Sequence, residues 1–376
     1  MRRPGNICRR RPGTSRRRRL IMRIHGHAAA EGMGIILRPV VLAAWLLAWL
    51  PASIPAPASA QTGPGYQVAE WARIVAGARK EGKVTFYTSQ PPGAQTRFVD
   101  GFRKLYPEIA VEVSRGASAQ LFPRVQQELA SGADGGDVWI NTELLWLIDR
   151  AKEGRLLKPA GPATAGWPAQ FMVQGTVLLA GREPFIISYN KTLVPNPLKG
   201  YADLLRPEFR GRMGSSELAA TTVIAFYDWL EKTQGGDYLE RFRAQNPKLY
   251  LGGVPIAQAV AAGEVIVGAF GQPTATKPLM EKGAPIDYIV PSPGLGVEYI
   301  AAAFAWSRRP NAALVMLDFI MSPEGQAAWH GAGETASPRP GIAGSLPIAS
   351  ITPWNPHDYP TEVANNYRER WTRLFK

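Results

Sequence analysis

The sequence predicts an α/β fold in two lobes, and three observations carry that reading. Stretches with helical spacing alternate with short apolar strands from residue 68 to residue 140, and the alternation resumes after residue 204. The chain has 376 residues, enough for two domains of ordinary size even without a leader of sixty residues.

The first helix is predicted over Val68 to Lys80, where Ala69, Ala72, Ile74, Val75 and Ala76 recur at helical spacing and Glu81-Gly82 closes the run. Lys83 to Ser89 reads as a short strand ending in hydroxyls. A helix over Arg97 to Tyr106 puts Phe98, Phe102 and Leu105 on one face and stops at Pro107, and Ala110 to Val113 is the second strand. Leu121 to Ala130 is a helix and Asp137 to Ile140 the third strand. The β-α-β-α-β order predicts a mainly parallel sheet flanked by helices.

In such sheets ligands gather at the carboxyl ends of strands, where loops turn into helix N-termini with free N–H groups and a positive dipole. Those ends are Thr88-Ser89-Gln90, Arg115-Gly116-Ala117-Ser118 and Asn141-Thr142-Glu143. Any one of them reads equally as a cap or turn; three in succession at one edge favour a site.

Pro184 to Lys191 is β-rich and is followed by Pro195 and Pro197. A helix near Leu204 is interrupted by Pro207, and Phe209 to Gly214 reads as turn and strand. Ser215 to Thr222 then opens a helix over Val223 to Lys232; capping needs one hydroxyl, and this stretch also offers Thr221 and Thr222 to an anion. Ile256 to Ala262 is a helix, and Glu264 to Phe270 a strand with Gly271-Gln272-Pro273-Thr274 at its carboxyl end. Ile286 to Ser292 leads back to the first lobe. Val297 to Phe304 is an apolar strand carrying Glu298 and Tyr299, followed by the polar turn Arg308 to Asn311, a helix with Asn311 as N-cap, and a second helix started by Ser322 with Pro323 at its first position. Pro338, Pro340, Pro347, Pro353 and Pro356 make the tail irregular. Val363, Tyr367, Trp371 and Leu374, at helical spacing within Glu362 to Lys376, predict a docked amphipathic helix.

At the other end, Val40 to Leu50 is an unbroken apolar run behind Arg38, too short to span a bilayer. Pro51, Pro55 and Pro57 follow it, and Ala58-Ser59-Ala60 has the small-x-small form of a signal peptidase site, predicting cleavage between Ala60 and Gln61. The arginines at 9–11 and 16–19 read either as a basic arm for nucleic acid or as sequence upstream of a start at Met22 or Met33, the latter giving an ordinary leader. Residues 1–60 hold eleven of the 43 basic residues and one of the 30 acids, so most of the formal +13 belongs to the leader. No nucleic-acid partner is therefore expected. The single cysteine, Cys8, lies there too, which leaves the mature chain without disulfides or a thiolate metal site.

Catalytic constellations are missing from the sequence pattern. His330 and His357 stand outside any metal-ligand spacing, and no G-x-S-x-G, Walker A or G-x-G-x-x-G phrase sits at a strand-to-helix junction. His330 is expected to cap or pack the end of its helix. Glu143, Glu217 and Glu298 lie on candidate cleft loops but read as ordinary surface charges.

The strand Val297 to Phe304 and the phrase Phe319-Ile320-Met321-Ser322-Pro323-Glu324-Gly325-Gln326 together resemble the periplasmic substrate-binding proteins of ABC importers, in the extracellular solute-binding family 1 and its ferric-iron-type branch. The resemblance implies a type II periplasmic binding fold, with lobe 1 over 61–184 and 295–376, lobe 2 over 185–294, and a ligand cleft between them. It implies a periplasmic monomer, not membrane-spanning once cleaved, that delivers a small anionic organic solute to an ABC permease, and it gives cleft roles to Tyr189, Glu298 and Tyr299. Members that hold iron directly offer adjacent tyrosines, since phenolate oxygens suit Fe(III). The matching stretch here, Phe270 to Thr274, has none, and no two of Tyr87, Tyr189 and Tyr288 are neighbours. No metal and no cofactor are therefore expected. Arg115 is the expected bidentate partner of a carboxylate or phosphate, with Arg182, Lys191 and Lys277 behind it. Ferric iron with a synergistic anion stays open as an alternative, as does a secreted enzyme or a ligand-sensing partner on the same fold.

Overall fold

The computed structural model describes residues 67–376; the leader, its alternative starts and the Ala60-Gln61 cleavage point lie outside the described residues. The chain begins with α1 (Val68–Glu81), β1 (Lys83–Thr88), α2 (Pro92–Leu105), β2 (Ala110–Arg115), α3 (Ser118–Ser131), β3 (Val138–Asn141) and α4 (Leu144–Lys152), then β4 (Met172–Val173), β5 (Val177–Pro184) and β6 (Ile186–Asn190). It continues through β7 (Met213–Ser216), α5 (Thr221–Gln234), α6 (Tyr238–Ala244), β8 (Lys248–Tyr250), α7 (Gly253–Ala261), β9 (Val267–Gly271), α8 (Pro273–Glu281) and β10 (Ile286–Ile289). It ends with β11 (Gly296–Ala303), α9 (Pro310–Met321), α10 (Pro323–His330) and α11 (Thr361–Phe375).

These strands make two sheets, in the orders β2-β1-β3-β11-β5-β4 and β10-β6-β9-β7-β8. Each has a parallel trio at its heart, β2-β1-β3 in one and β9-β7-β8 in the other. Returning strands then pair antiparallel, so the sheets are mixed, with four of six and four of five strands pointing the same way. The chain crosses from the first sheet to the second at Phe185 and returns between Ile289 and Gly296.

Burial explains why the strands sit where they do. In β1, Val84 and Phe86 face one apolar layer, where Phe86 meets Phe98 of α2 at 5.6 Å, while Tyr87 faces the other layer beside Trp139. A strand covered on both faces reads as continuously apolar. Burying a side chain the size of Phe98 contributes about 2–3 kcal/mol. Beyond β11, the polar turn is structural: buried Arg309 donates to Asp137 at 2.7 Å, and Asp137 also accepts from Thr85 N and Ser307 Oγ at 2.6 Å.

Several local expectations are corrected. α2 starts at Pro92 and α3 at Ser118, earlier than the apolar spacing indicates, because proline fits a first turn and Ala117 enters extended. The stretch near Leu204 forms two separate 3-10 turns on either side of Arg206. The strand before Gln272 begins at Val267 rather than Glu264. Asn311 is not the cap of α9. Pro310 opens that helix, and Glu81 of α1 caps it by accepting from Asn311 N at 3.2 Å and Ala312 N at 2.6 Å. Ser322 does cap α10, its Oγ accepting from Gly325 N at 3.0 Å. His330 packs, stacked on Trp329 with Nδ1 against Thr335 Oγ1 at 2.6 Å, and burial drives its pKa down to about 3.

The terminal helix docks through most of the expected face, with Tyr367 and Leu374 half-buried against the core beside buried Trp371, but on helices of the second sheet. Ala364, Trp371 and Phe375 are its buried residues, whereas Val363 is exposed. Trp371 and Phe375 lie against Tyr227 of α5, and Phe375 also reaches Phe242 of α6. Those helices belong with the second sheet, so a boundary keeping all of 295–376 with the first sheet cuts across this packing.

Candidate functional site

A cavity of about 350 Å³ opens where the carboxyl ends of both parallel trios face each other. From the first sheet come Ser89 after β1, Arg115 at the end of β2, Ala117–Gln120 at the start of α3, and Thr142 after β3. From the second come Ser216 at the end of β7, the first residues of α5, Leu251–Pro255 at the start of α7, and Gln272 ahead of α8. Val297 and Tyr299 of β11 complete the lining.

Among the helices that begin at this cavity, three have alanine or glycine as N-cap residue: Ala117, Ala220 and Gly252. A helix leaves its first N–H groups without intrahelical partners, and a Ser, Thr, Asp or Asn cap ordinarily accepts from one of them. Alanine and glycine have no acceptor to offer. Val223 N donates back to the Ala220 carbonyl at 3.0 Å and Pro255 has no N–H, so the N–H groups of Thr221 and Thr222 at the start of α5 and of Gly253 and Val254 at the start of α7 remain available, with the positive ends of their dipoles, to an anion.

Arg115 is the one charged side chain among the described residues lining the cavity. Its Nε donates to the Gln90 carbonyl at 2.9 Å, which fixes the plane of the guanidinium. The side chain as a whole is exposed, yet its charged end is partly desolvated, which holds its pKa below the ordinary value. Thr222 also lines the cavity; it is buried, and its Oγ1 has no hydrogen-bond partner among the described residues.

Tyr299 is fixed from behind, its hydroxyl donating to Glu183 Oε2 at 2.9 Å. Burial and that carboxyl keep the phenol well above its usual pKa. Glu183, at the end of β5, also accepts from Thr274 N at 2.9 Å and Thr274 Oγ1 at 2.6 Å. Complete burial pushes its carboxyl up to about 7, against the opposing effect of those donors.

Of the residues expected at the site, Ser89, Arg115, Ser118, Thr142, Thr222, Gln272 and Tyr299 line this cavity. Thr88, Gln90, Gly116 and Asn141 do not. Thr88 Oγ1 donates to Gln90 Oε1 at 3.0 Å, and Asn141 Oδ1 accepts from Glu143 N at 2.6 Å, so both work within their own turns. Thr221 lines a neighbouring chamber. Tyr189 stands on β6 in the ladder to β10, away from the cavity. Glu298 is likewise outside the lining, because Arg182 takes its carboxylate at 2.5 Å and also donates to the carbonyls of Ile348 and Ile351. Lys277 donates to the Ala332 carbonyl at 2.6 Å and Lys191 is exposed, so neither supplies charge to the cavity.

The segment Leu251–Pro255 escapes sequence reasoning because β8, which delivers it, has only three residues. Its one signal is the glycine pair ahead of an apolar helix: Gly252 has φ 92°, a left-handed value that glycine adopts without strain.

The profile of the bacterial extracellular solute-binding proteins matches residues 86–334. No curated protein matches the sequence. Among solved structures, the substrate-binding protein of an ABC transporter from Agrobacterium tumefaciens superposes with a TM-score of 0.69 at 18% identity, covering 78% of this chain and 94% of that one. Iron-bound HitA from Pseudomonas aeruginosa gives 0.59 at 20% identity, covering 78% and 99%. AfuA from Actinobacillus pleuropneumoniae, with fructose-6-phosphate bound, gives 0.59 at 18% identity, covering 78% and 97%. At these identities the likeness is one of fold: two α/β lobes with a cleft between them.

Proposed function

This chain belongs to the bacterial extracellular solute-binding proteins, and from that premise we propose that it captures a small organic anion in the cleft and delivers it to an ABC permease. The observation that carries the reading is Arg115 set among helix starts whose N-caps, Ala117, Ala220 and Gly252, have no acceptor to close them. A guanidinium and free amides together match carboxylate or phosphate oxygens, and the unpaired Thr222 hydroxyl adds a further donor. The protein works in the periplasm as a monomer, exported by a leader cleaved after Ala60. Its lobes, 61–184 with most of 295–376 and 185–294, close by a hinge at the two crossovers.

The neighbour that holds a sugar phosphate agrees with this reading. The neighbour that holds iron raises the rival. Fe(III) wants several hard anionic oxygens. Among the described lining residues Tyr299 is the one phenol, it already donates to Glu183, and neither carboxylate nor imidazole joins it. The same lack of an acid or imidazole beside Ser89, Ser118 or Ser216 counts against nucleophilic catalysis there.

The test is mass spectrometry of small molecules released from natively purified protein, with metal analysis of the same sample. A stoichiometric organic anion is expected. Stoichiometric iron overturns the reading, and conversion of the released molecule on re-addition moves the protein to the enzymes.

A further inference from the structure

Beside the cleft lies a second chamber of about 450 Å³. The two adjoin: Ala119, Thr142, Ala219 and Ala220 line both, so only small side chains stand between them. Its far wall comes from the C-terminal tail, through Trp354, Tyr359 and Arg368, and its near wall from Phe122 of α3 and Glu143 and Trp146 at the start of α4. The tail lies beyond residues 86–334, the span shared with the family profile. It is held against α5 by Tyr359 Oη, which donates to Asp228 at 2.6 Å, and by Tyr367 Oη, which donates to Glu231 at 2.7 Å.

The chamber differs in chemistry from the cleft. Aromatic faces dominate it, and Trp146 and Trp354 each hold a buried indole Nε1 without a hydrogen-bond partner among the described residues. An indole N–H is a donor only, so either of these two is able to pair with an acceptor on whatever fills the space once its ring turns towards it. Where the cleft has Arg115 alone, this chamber has the carboxyl of Glu143, partly buried and held above its usual pKa chiefly by loss of water. Asp149 and Arg368 also line it, so two carboxyl groups stand against one guanidinium, a balance that does not favour a free phosphate or carboxylate.

We propose that the second chamber is part of the ligand site and takes the flat, uncharged end of the anion held at Arg115. This rests on the anion reading above and narrows it: the solute is an organic acid or phosphate ester joined to an aromatic or heteroaromatic ring that carries a hydrogen-bond acceptor. Stacking between aromatic faces supplies affinity, and the indole N–H groups supply orientation.

Calorimetry on protein stripped of ligand, with inorganic phosphate and 4-nitrophenyl phosphate as probes, tests this. The ester is expected to bind at least about ten-fold more tightly than phosphate. Trp354→Ala is expected to erase that advantage, and Trp354→Phe, which keeps a ring and removes the N–H, to reduce it in part. Phosphate affinity, unchanged in both variants, reports that the cleft remains folded. Equal binding of the two probes by the wild type, or an ester advantage untouched by either substitution, overturns the second chamber and leaves the anion reading standing. Failure of both probes to bind overturns the two together.

Discussion

The two walls of the cleft differ in how far their polar groups are already committed. On the first-sheet wall, Ser118 Oγ accepts from both Thr142 N and Thr142 Oγ1 at 3.1 Å, and Thr88 Oγ1 donates to Gln90 Oε1 in the turn after β1, whose one buried side-chain donor without a partner among the described residues, Gln90 Nε2, stands outside the cavity lining. On the second-sheet wall, Thr222 Oγ1 is buried without a partner and α5 and α7 start from residues that cannot cap. Buried polar groups are nearly always hydrogen-bonded, so an unpaired one in a cavity wall points to a partner that arrives later. A polar residue at a strand end therefore says little about ligand until its own bonds are counted. Apart from Arg115, the first-sheet wall holds shape, and the second-sheet wall keeps its donors for oxygen.

Glu183 joins the walls, reaching from β5 to Thr274 on α8 and to Tyr299 on β11, and removing its charge should give the largest change. Its carboxyl titrates at about 7 folded against an ordinary 4.5, so the folded state holds the proton more tightly over that interval. Stability then falls as pH rises from about 4.5 to about 7, by on the order of 3 kcal/mol. Asp318, raised to about 6 by burial, adds in the same sense, while His330, buried neutral, makes stability fall as pH drops from about 6.5 towards about 3. Denaturant melts of Glu183→Gln across pH 4.5 to 7.5 should gain on wild type as pH rises; parallel curves would separate Glu183 from the coupling of the walls.

Arg115→Ala comes next, with an expected loss of roughly 10- to 100-fold in affinity for the released solute, as for a charged hydrogen bond of about 1.5–3 kcal/mol. Titration calorimetry measures it, and unchanged affinity would remove Arg115 from the ligand.

Gly252→Ala forces a side chain onto a left-handed cap at φ 92° and should cost about 1–2 kcal/mol in thermal or chemical melts, with weaker ligand binding as the α7 start shifts. A neutral result would mean that this start is loosely held.

The finest discrimination is between Thr222→Val and Ser118→Ala. The first removes an unpaired hydroxyl and should leave the stability of the free protein level or slightly raised, while affinity drops by about five-fold. The second breaks a pair inside the committed wall and should lower stability by about 1 kcal/mol, with affinity nearly unchanged. The opposite pattern would erase the contrast between the walls.

Much of the fold is legible in the sequence because its signals are local. Helical spacing, alternating strands, proline at a first turn and the Ser322 cap all act within a few residues, and each has its counterpart in the structure. The parallel trios follow from the alternation, and with them the edge at which a ligand gathers. Which residues of that edge meet a ligand is a separate matter, settled by partners distant in sequence. Ser118 finds Thr142 24 residues away, Asn311 yields its capping role to Glu81 at a separation of 230, and Glu298 is taken by Arg182. The tail, unremarkable as a proline-rich segment, becomes the wall of a second chamber because α11 settles on α5 and α6. By itself the sequence determined most of the longer elements, their order and the family, while α4, β5, α6, β8 and α8 emerge only in the structure. The tertiary structure alone decided which polar groups are spent on the protein and which stay free for a solute, since hydrogen-bond satisfaction depends on neighbours in space.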